Sequence, residues 1–338
     1  MANAYWRMRG YDPFFADAGA LEWAPPTHVY EDLYAIYRDL PEYQRVLAEH
    51  PDWVLRDASG DRLYIPADCN GTSCTQYAGD AGNPEFRRWW IERMKRILSK
   101  GYAGVFVDDV NLDITASDGS GTPVTPTDPR TGRPMSVGDW RRYIARFAVE
   151  IADALPDLEI VHNVQWYVGH DDESARRQLT AADAVEFERG FSDSGLTGEG
   201  FVALDRLLDQ ADWLHDRGIS VILEPYDLTP RTQELELAAY FVIREGEDAI
   251  ASDYLSDPGA FSERWQLDLG DPLGDRYRWN GLWRRDFSAG TALVNPPDSS
   301  PRTVRAEGRT NIDGNAVRTV TIEAHGGAVL LGRAPLVP

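Results

Sequence analysis

The sequence predicts an α/β fold, a (β/α)8 TIM-like barrel followed by a small C-terminal antiparallel β-domain. The apolar run at residues 105–107 (VFV) is typical of a strand that is buried on both faces. From about residue 75 to residue 255, strands alternate with amphipathic helices, as in the right-handed βαβ units of a parallel sheet. After about residue 275 the pattern changes to short strands separated by Gly, Asn and Asp turns. We therefore predict a catalytic barrel over residues 1–274 and a β-sandwich-like domain over residues 275–338.

The individual elements follow from apolar periodicity and from turn residues. Residues 32–40 and 41–50 have a helical pattern within a segment that is otherwise weakly patterned. Asn83 and Pro84 provide an N-cap and a proline at the first helical position, and Gly101 ends that helix. The later elements alternate along the chain. Strands are predicted at 103–108, 159–166, 184–191, 220–227 and 247–255, and helices at 139–155, 173–179, 201–217 and 231–245.

The composition argues against nucleic acid as a partner, against a membrane span and against Schiff-base chemistry. The formal net charge is −21, which argues against nucleic acid because affinity for nucleic acid rests largely on Lys and Arg neutralising phosphates. No apolar run approaches the ~20 residues of a membrane span. The two lysines, Lys95 and Lys100, fall on one predicted helix, which disfavours Schiff-base chemistry through a buried lysine. A neutral or cationic substrate fits this charge best.

The cysteines and the N-terminus bear on the compartment. Cys69 and Cys74 lie five residues apart and form either a small disulfide hairpin, which would indicate an oxidising compartment, or two free thiols. The first ten residues, MANAYWRMRG, lack the apolar stretch of a signal peptide. We expect a secreted protein whose leader has been removed, rather than a cytoplasmic protein.

Four successive strands end in polar side chains. In parallel β/α proteins the ligand binds at the carboxyl ends of the strands, so these side chains are expected to converge. An acid at the end of an apolar strand costs free energy unless it is paired or used. The alternative is a ring of structural ion pairs, with Arg189 as one cation. The residues concerned are Asp108 and Asp109, His162 and Asn163, Glu186 and Glu188, and Glu224 with Tyr226 and Asp227.

Two facing carboxyl groups are what hydrolysis of a glycosidic bond requires. One attacks the anomeric carbon or activates water, and the other delivers a proton to the leaving oxygen. Their separation, ~5–5.5 Å for retention or ~6.5–9.5 Å for inversion, determines the stereochemistry.

Several motifs resemble those of one group of barrel glycosidases. The segment GYAGVFVDDVN at 101–111 resembles the nucleophile strand of the glycoside hydrolase-like and endo-α-1,4-polygalactosaminidase-like assemblage, which is related to the α-amylases. His162-Asn163 resembles the strand of that group that ends in Asn. The segment DAVEFE at 183–188 resembles its Asp-x-x-x-x-Glu strand, and LEPY at 223–226 its Glu-Tyr strand. The likeness covers most of residues 50–335.

This resemblance implies a role for each residue. Asp108 would be the nucleophile or base and Glu188 the general acid/base, although Glu186 alternates onto the same side of its strand. The resemblance also implies a barrel glycosidase that needs no cofactor or metal and favours an α-linked substrate and a retaining mechanism. The substrate-binding residues are expected to be Asp109, His162, Asn163, Trp166, Glu186, Glu224 and Tyr226.

Two other functions compete with this hypothesis. In a metal-dependent lyase or isomerase of the enolase kind, Asp108, Glu188 and Glu224 would hold Mg²⁺ and His162 would be the base. A barrel that binds sugars without cutting them would show no turnover on any glycan.

One long loop completes the prediction. Residues 114–137 are rich in Gly, Ser, Thr, Pro and Asp and leave the carboxylate-bearing strand directly. Loops of this length in compact domains are usually functional or disordered. We expect this one to form a lid over a pocket or a wall of a cleft.

Overall fold

The computed structural model describes residues 3–5, 7–9, 28–69, 73–225, 229–251 and 263–338. The chain divides into two units. The first unit is Arg7–Asp183, and the second combines Met1–Trp6 with Ala184–Pro338. Both units contain parallel strands and helices, and the second also carries an antiparallel sheet. The mixed α/β class with a C-terminal antiparallel sheet is thus confirmed, whereas the boundary between residues 274 and 275 stays a prediction.

The first unit contains four parallel strands and the helices that cover them. The order across the sheet is Arg7–Arg9, His28–Asp32, Gly104–Asp108 and Glu159–Asn163. Two short antiparallel pairs join Ala35–Tyr37 to Gln76–Ala78 and Thr127–Asp128 to Arg133–Pro134. The helices are Pro41–Glu49, Pro84–Leu98, Val137–Ala154 and Glu173–Leu179, with short 3-10 turns at Pro51–Trp53 and Pro66–Asp68.

The predicted central strand and its preceding helix are confirmed. Val105, Phe106 and Val107 are completely buried, as expected for a strand covered on both faces. Helix Pro84–Leu98 begins where the sequence predicts, because the Asn83 side chain accepts hydrogen bonds from the first free N–H groups of the helix.

The helix predicted over residues 32–40 is wrong. Ala35–Tyr37 is instead a strand paired with Gln76–Ala78. Oδ1 of Asp32 accepts hydrogen bonds from the N–H groups of Tyr34 and Ala35, each at 2.8 Å, which is a pattern that can also begin a helix. The physical reason is the long-range partner, because the main chain of Ala35–Tyr37 pairs with a strand some forty residues later instead of with its own following turn.

The second unit contains four parallel strands and a six-stranded antiparallel sheet. The parallel order is Ala184–Glu188, Ser220–Glu224, Ala249–Ala251 and Asn3–Tyr5. The antiparallel order is Tyr277–Trp279, Leu282–Asp286, Gly290–Asn295, Gly326–Leu331, Arg302–Thr310 and Ala316–Ile322. The helices are Leu204–His215 and Pro230–Ile243, with 3-10 turns at Gly190–Ser192 and Glu263–Gln266.

Helix Pro230–Ile243 is buried on all sides from Leu235 onward. Apart from Glu236, the residues from Leu235 to Ile243 are apolar on every side, which suits a helix with protein on every face. On one side it packs against the antiparallel sheet at Gly327. A Cβ atom at Gly327 would lie 2.8 Å from both Cβ of Ala238 and Cα of Leu235. Only glycine therefore allows this strand to lie so close to the helix.

Two further features of the described residues bear on earlier expectations. Cys69 and Cys74 form a disulfide, which decides between the two alternatives for these cysteines. Within the described ranges, no helix combines the length and the apolar character that crossing a membrane requires.

We predict that Gly327→Ala destabilises the protein. The added methyl group forces helix and strand apart, and overpacking of this kind typically costs ~1–3 kcal/mol. Urea unfolding at equilibrium measures the effect. The matched control is Gly138→Ala, where the new Cβ meets only Oγ of Ser136 at 3.9 Å, so the free energy of unfolding should stay the same or rise by roughly 0.5 kcal/mol. Equal stability of the two variants would contradict this close packing.

Candidate active site

Polar side chains from three neighbouring strands of the first unit share one face of the sheet. Asp32 and Asp108 are register partners, and Asn163 directly follows His162, the partner of Val107. Residues side by side in a parallel sheet point to the same face. All three strands end here, so their carboxyl ends bring these groups together, as predicted for Asp108 and Asn163.

The Asp108 carboxylate is held by three hydrogen-bond donors. Asn163 donates its side-chain N–H to Oδ1 at 2.9 Å, and the main-chain N–H of Asp109 donates to the same oxygen at 2.8 Å. The Tyr30 hydroxyl donates to Oδ2. The Asp108 side chain stays partly exposed. It is therefore a fixed acceptor that a ligand can still reach.

Asp32 and Asp109 lie beside Asp108 and are hydrogen-bonded to each other. Burial raises the pKa of the Asp32 carboxyl well above its usual range, and the nearby charges of Asp109 and Asp108 and a hydrogen bond with Asp109 raise it further. Asp109 has φ 55, in the left-handed region that Asp tolerates better than most residues. Its Oδ1 also accepts a hydrogen bond from Nδ2 of Asn111 at 2.7 Å. Asp109, predicted to bind substrate, is thus tied into the protein by hydrogen bonds with Asp32 and Asn111.

Buried aromatic side chains hold the backbone around this group. The indole N–H of Trp90 donates to the carbonyl of Asp32 at 3.0 Å, and that of Trp140 donates to the carbonyl of Asn111 at 2.9 Å. The Tyr34 hydroxyl donates to the carbonyl of Thr115 at 3.0 Å, and its ring meets Trp140 edge to face. These aromatic groups fix the strand ends that carry Asp32 and Asp108.

Tyr30 and Asp32 are the members of this group that the sequence did not reveal. Glu31 lies between them on the opposite face, where it pairs with Arg93 and accepts a hydrogen bond from the Tyr43 hydroxyl at 2.6 Å. Because this strand carries acids on both faces, its sequence lacks the uninterrupted apolar run by which a buried strand is recognised. The one available signal was a carboxylate pair, Glu31-Asp32, at the end of its strand, where Asp32 is the register partner of Asp108.

His162 and Trp166 lie among buried residues. His162 is fully buried, and burial lowers its pKa to about 4, so the imidazole is neutral at physiological pH. It points to the opposite face from Asn163, because successive residues of a strand alternate. Trp166 is 8% exposed and meets Tyr167 edge to face. Their assignment to substrate binding stays a prediction.

The second unit carries three glutamates on one face of two adjacent strands. Glu188 is the register partner of Glu224, and Glu186 lies two residues before Glu188 on the same side. Glu186 is completely buried and Glu224 is 1% exposed, whereas Glu188 is partly exposed. The predicted convergence of these three acids is therefore present in the second unit, with Glu188 the most accessible.

A fourth glutamate holds the turn that follows Glu188. Glu236 is completely buried, and its Oε1 accepts a hydrogen bond from the main-chain N–H of Ser192. A Cβ atom at Gly190 would lie 2.5 Å from Oε2 of Glu236, so the turn Gly190–Ser192 needs glycine at its first position. Burial raises the pKa of Glu236 to about 7.

The other predicted site residues either lie in different units or fall outside the described residues. Asp108 and Glu188 belong to different units, so their pairing across one sugar stays a prediction. Tyr226 and Asp227 lie outside the described residues.

The loop at 114–137 is anchored to neighbouring segments of the first unit. Ser117 and Tyr64 exchange two main-chain hydrogen bonds of 2.9 Å. Nη1 of Arg130 donates to both carboxylate oxygens of Asp80 at 2.9 Å. These contacts favour a fixed wall over a mobile lid.

A metal centre finds no support in the part of the chain that the structure describes. Among those residues, no group of three or more His, Cys, Asp and Glu side chains could hold a metal ion. The metal-dependent alternative would require Asp108 of the first unit and Glu188 and Glu224 of the second unit to bind the same ion.

Comparison with known proteins decides the class. The model of the hypothetical glycosyl hydrolase family 15 matches residues 27–291. The chain belongs to this family. It is therefore a glycosidase and acts on carbohydrate, as the strand-end acids predicted. No curated protein matches the chain. The closer resemblance to endo-α-1,4-polygalactosaminidases stays a prediction.

Several solved structures are similar to this one, at TM-scores below 0.5. The glycoside hydrolase domain of PelA from Pseudomonas aeruginosa has a TM-score of 0.44 and 16% identity, covering 75% of this chain and 96% of that chain. An α-amylase from Anoxybacillus has a TM-score of 0.43 and 13% identity, covering 91% and 76%. Trehalose-6-phosphate hydrolase from Bacillus licheniformis has a TM-score of 0.45 and 10% identity, covering 91% and 83%. The family assignment rests on the family model.

We predict that Glu236 makes stability fall as pH rises. The folded protein holds this proton up to a pH of about 7, whereas the unfolded chain releases it near 4.5. The stabilisation is therefore complete below pH 4.5 and is lost as pH rises through about 7, an effect of roughly 3 kcal/mol. In Glu236→Gln this part of the pH dependence should vanish in urea unfolding measured from pH 4.5 to 8. The exposed Glu199→Gln is the control, and identical pH profiles for Glu236→Gln and wild type would refute the assignment.

Proposed function

We propose that this enzyme hydrolyses glycosidic bonds in a poly- or oligosaccharide, with Asp108 as nucleophile and Glu188 as general acid/base. The observation that carries the proposal is the Asp108 carboxylate, which is fixed by three donors at the end of a central parallel strand and is still accessible. Membership of a glycosidase family supplies the reaction class.

The environment of Asp108 suits a nucleophile. A carboxylate that attacks an anomeric carbon must be held in a near-attack orientation, because positioning supplies much of the rate enhancement. The N–H groups of Asn163 and Asp109 fix Oδ1, and the Tyr30 hydroxyl fixes Oδ2. The raised pKa of Asp32 disfavours a further negative charge beside the attacking group.

The environment of Glu188 suits the acid/base. This group must meet the leaving oxygen and then an incoming water, so it needs access that a completely buried carboxyl lacks. Glu188 is partly exposed, whereas Glu186 and Glu224 are buried. This contrast supports Glu188 over Glu186, and it leaves Glu186 and Glu224 as groups that shape the site.

We further propose that the parallel strands close into a (β/α)8 barrel. Asn3–Tyr5 pairs with Ala249–Ala251 at the edge of one set of parallel strands. Arg7–Arg9, one residue further along the chain, pairs with His28–Asp32 at the edge of the other set. A single N-terminal segment that pairs on both sides is what closure requires.

The finer features of the reaction follow from the motifs. By resemblance, we propose an α-linked substrate and a retaining mechanism that needs no cofactor. The formal net charge of −21 disfavours polyanionic glycans, so we propose a largely neutral chain as the substrate class. The Cys69–Cys74 disulfide supports an oxidising compartment, in keeping with secretion.

We predict that Asp108→Asn and Glu188→Gln each abolish release of sugar from whichever glycan the wild-type enzyme cleaves. A panel of bacterial and plant polysaccharides, read by reducing-end release, identifies that glycan. Loss of an acid or base typically costs 10²–10⁴-fold in kcat. The controls are the exposed Asp153→Asn and Glu199→Gln, which should keep wild-type rates. Wild-type activity in either active-site variant would overturn the assignment, and loss of wild-type activity in EDTA would favour a metal enzyme.

We predict that the two variants respond differently to the leaving group. A dinitrophenyl glycoside needs little protonation to leave, so Glu188→Gln should keep far more of its wild-type rate on this substrate than on the glycan. Asp108→Asn should be impaired equally on both, because it lacks the attacking carboxylate. Parallel losses in the two variants would contradict the division of roles.

We predict retention of configuration. Proton NMR of the first product formed should show the anomer of the substrate before mutarotation sets in, as a double displacement requires. The inverted anomer would instead indicate that Asp108 acts as a base on water.

A further inference from the structure

A cavity in the C-terminal sheet has features of a built binding site. Its volume is about 560 Å³, within the range of small-molecule sites. Residues between 273 and 335 line it, and they include Arg284, Arg309 and Arg333 with two acids, Asp275 and Asp286. A cluster with more cations than anions is unexpected in a protein whose formal net charge is −21.

Arg309 is a buried cation with uncharged partners. It is 5% exposed, and its Nε donates to the carbonyl of Ala334 at 2.6 Å. Its Nη1 donates to Oγ1 of Thr291 at 3.0 Å and to the carbonyl of Leu330 at 3.4 Å. Burying a guanidinium without a carboxylate costs free energy that a bound anion would offset. Because Nε and Nη1 are used within the sheet, Nη2 is the nitrogen left for a ligand.

Asp286, a carboxylate of the cavity lining, already has other hydrogen-bond partners. Oδ1 of Asp286 accepts hydrogen bonds from Nη2 of Arg284 at 2.9 Å and from Oγ1 of Thr291 at 2.7 Å. Its Oδ2 accepts one from the Tyr277 hydroxyl at 2.7 Å. Asp286 thus neutralises Arg284, and Thr291 stands between it and Arg309. Among the described residues Arg309 therefore has no carboxylate in hydrogen-bond contact, and the charge of Asp286, already paired with Arg284, favours its charged form only through space.

The rim of the cavity offers an apolar surface. Leu273 is 70% exposed and Tyr277 is 41% exposed, and both are among the few large hydrophobic side chains of the described residues that face solvent. An exposed tyrosine ring beside a polar cavity suits a ligand with one apolar face, such as the C–H face of a sugar ring. The ligand must therefore combine a negative group with a ring.

We propose that this cavity binds an acidic sugar unit, with its carboxylate at Arg309 and its ring against Tyr277. Arg333, which is exposed and also lines the cavity, adds a second cation for the carboxylate. The proposal does not depend on the roles of Asp108 and Glu188. It gives this glycosidase a second carbohydrate site, selective for uronic acid residues in a mixed glycan.

Calorimetric titration with three probes tests the proposal. D-glucuronate carries both features, D-glucose has the ring without the charge, and acetate has the charge without the ring. We expect glucuronate to bind at least tenfold more tightly than either of the others, and more weakly as salt is added. Equal affinity for glucuronate and glucose, equal affinity for glucuronate and acetate, or no binding of glucuronate would each overturn it.

Variants locate the binding. Arg309→Met should abolish glucuronate binding, and the exposed Arg333→Gln should weaken it about fivefold or more without unfolding the protein. Arg318→Gln, an exposed arginine of the same sheet outside the cavity, is the matched control and should bind as wild type. Asp108→Asn should also bind as wild type. If Arg309→Met does not fold, Arg333→Gln decides, and wild-type affinity in Arg333→Gln or loss of binding in Asp108→Asn refutes the site.

Discussion

The candidate site requires three carboxyl groups, those of Asp32, Asp108 and Asp109, to lie close together at the ends of two adjacent strands. Three carboxylates in so small a space would repel one another strongly at low dielectric. Burial and the charges of Asp109 and Asp108 raise the pKa of Asp32, which favours its uncharged form and so limits the repulsion. Asp108 has donors on both carboxylate oxygens, from Asn163 and Tyr30. The different surroundings of Asp32 and Asp108 thus suit a structural acid and a reactive one.

The same strand shows why part of this site could not be predicted from sequence. The strand Gly104–Asp108 was predictable because its apolar run is uninterrupted, and Asp108 and Asn163 followed from the position of strand ends. Glu31 and Asp32 are chemically equivalent in the sequence, yet Glu31 faces Arg93 and Asp32 faces Asp109. That difference is created by long-range packing, because the partner of Glu31 comes from a helix some sixty residues later. The helix predicted at 32–40 is wrong for the same reason, because the strand that pairs with Ala35–Tyr37 comes some forty residues later.

The sequence predicted that the acids of the second unit lie together, but it could hardly distinguish which of them is the general acid/base. Alternation along a strand places Glu186 and Glu188 on one face, and sequence alone separates them only by resemblance to a motif. The structure adds accessibility, because the outermost residue of the strand is the one that remains partly exposed. How far each acid is buried also depends on the neighbouring strand, which the sequence pattern does not identify. In that strand Glu224 is the register partner of Glu188.

Helix Pro230–Ile243 connects the strand-end acids of the second unit to the antiparallel sheet. On one side its Glu236 holds the main chain of the turn that follows Glu188, and on the other side Leu235 and Ala238 pack against Gly327. Without the sheet, a helix that is apolar all round would expose one whole face to water. The antiparallel sheet therefore supports the position of Glu188 through this helix, in addition to any ligand that it binds itself. The C-terminal antiparallel sheet is therefore part of the structural basis of the acidic cluster in the second unit.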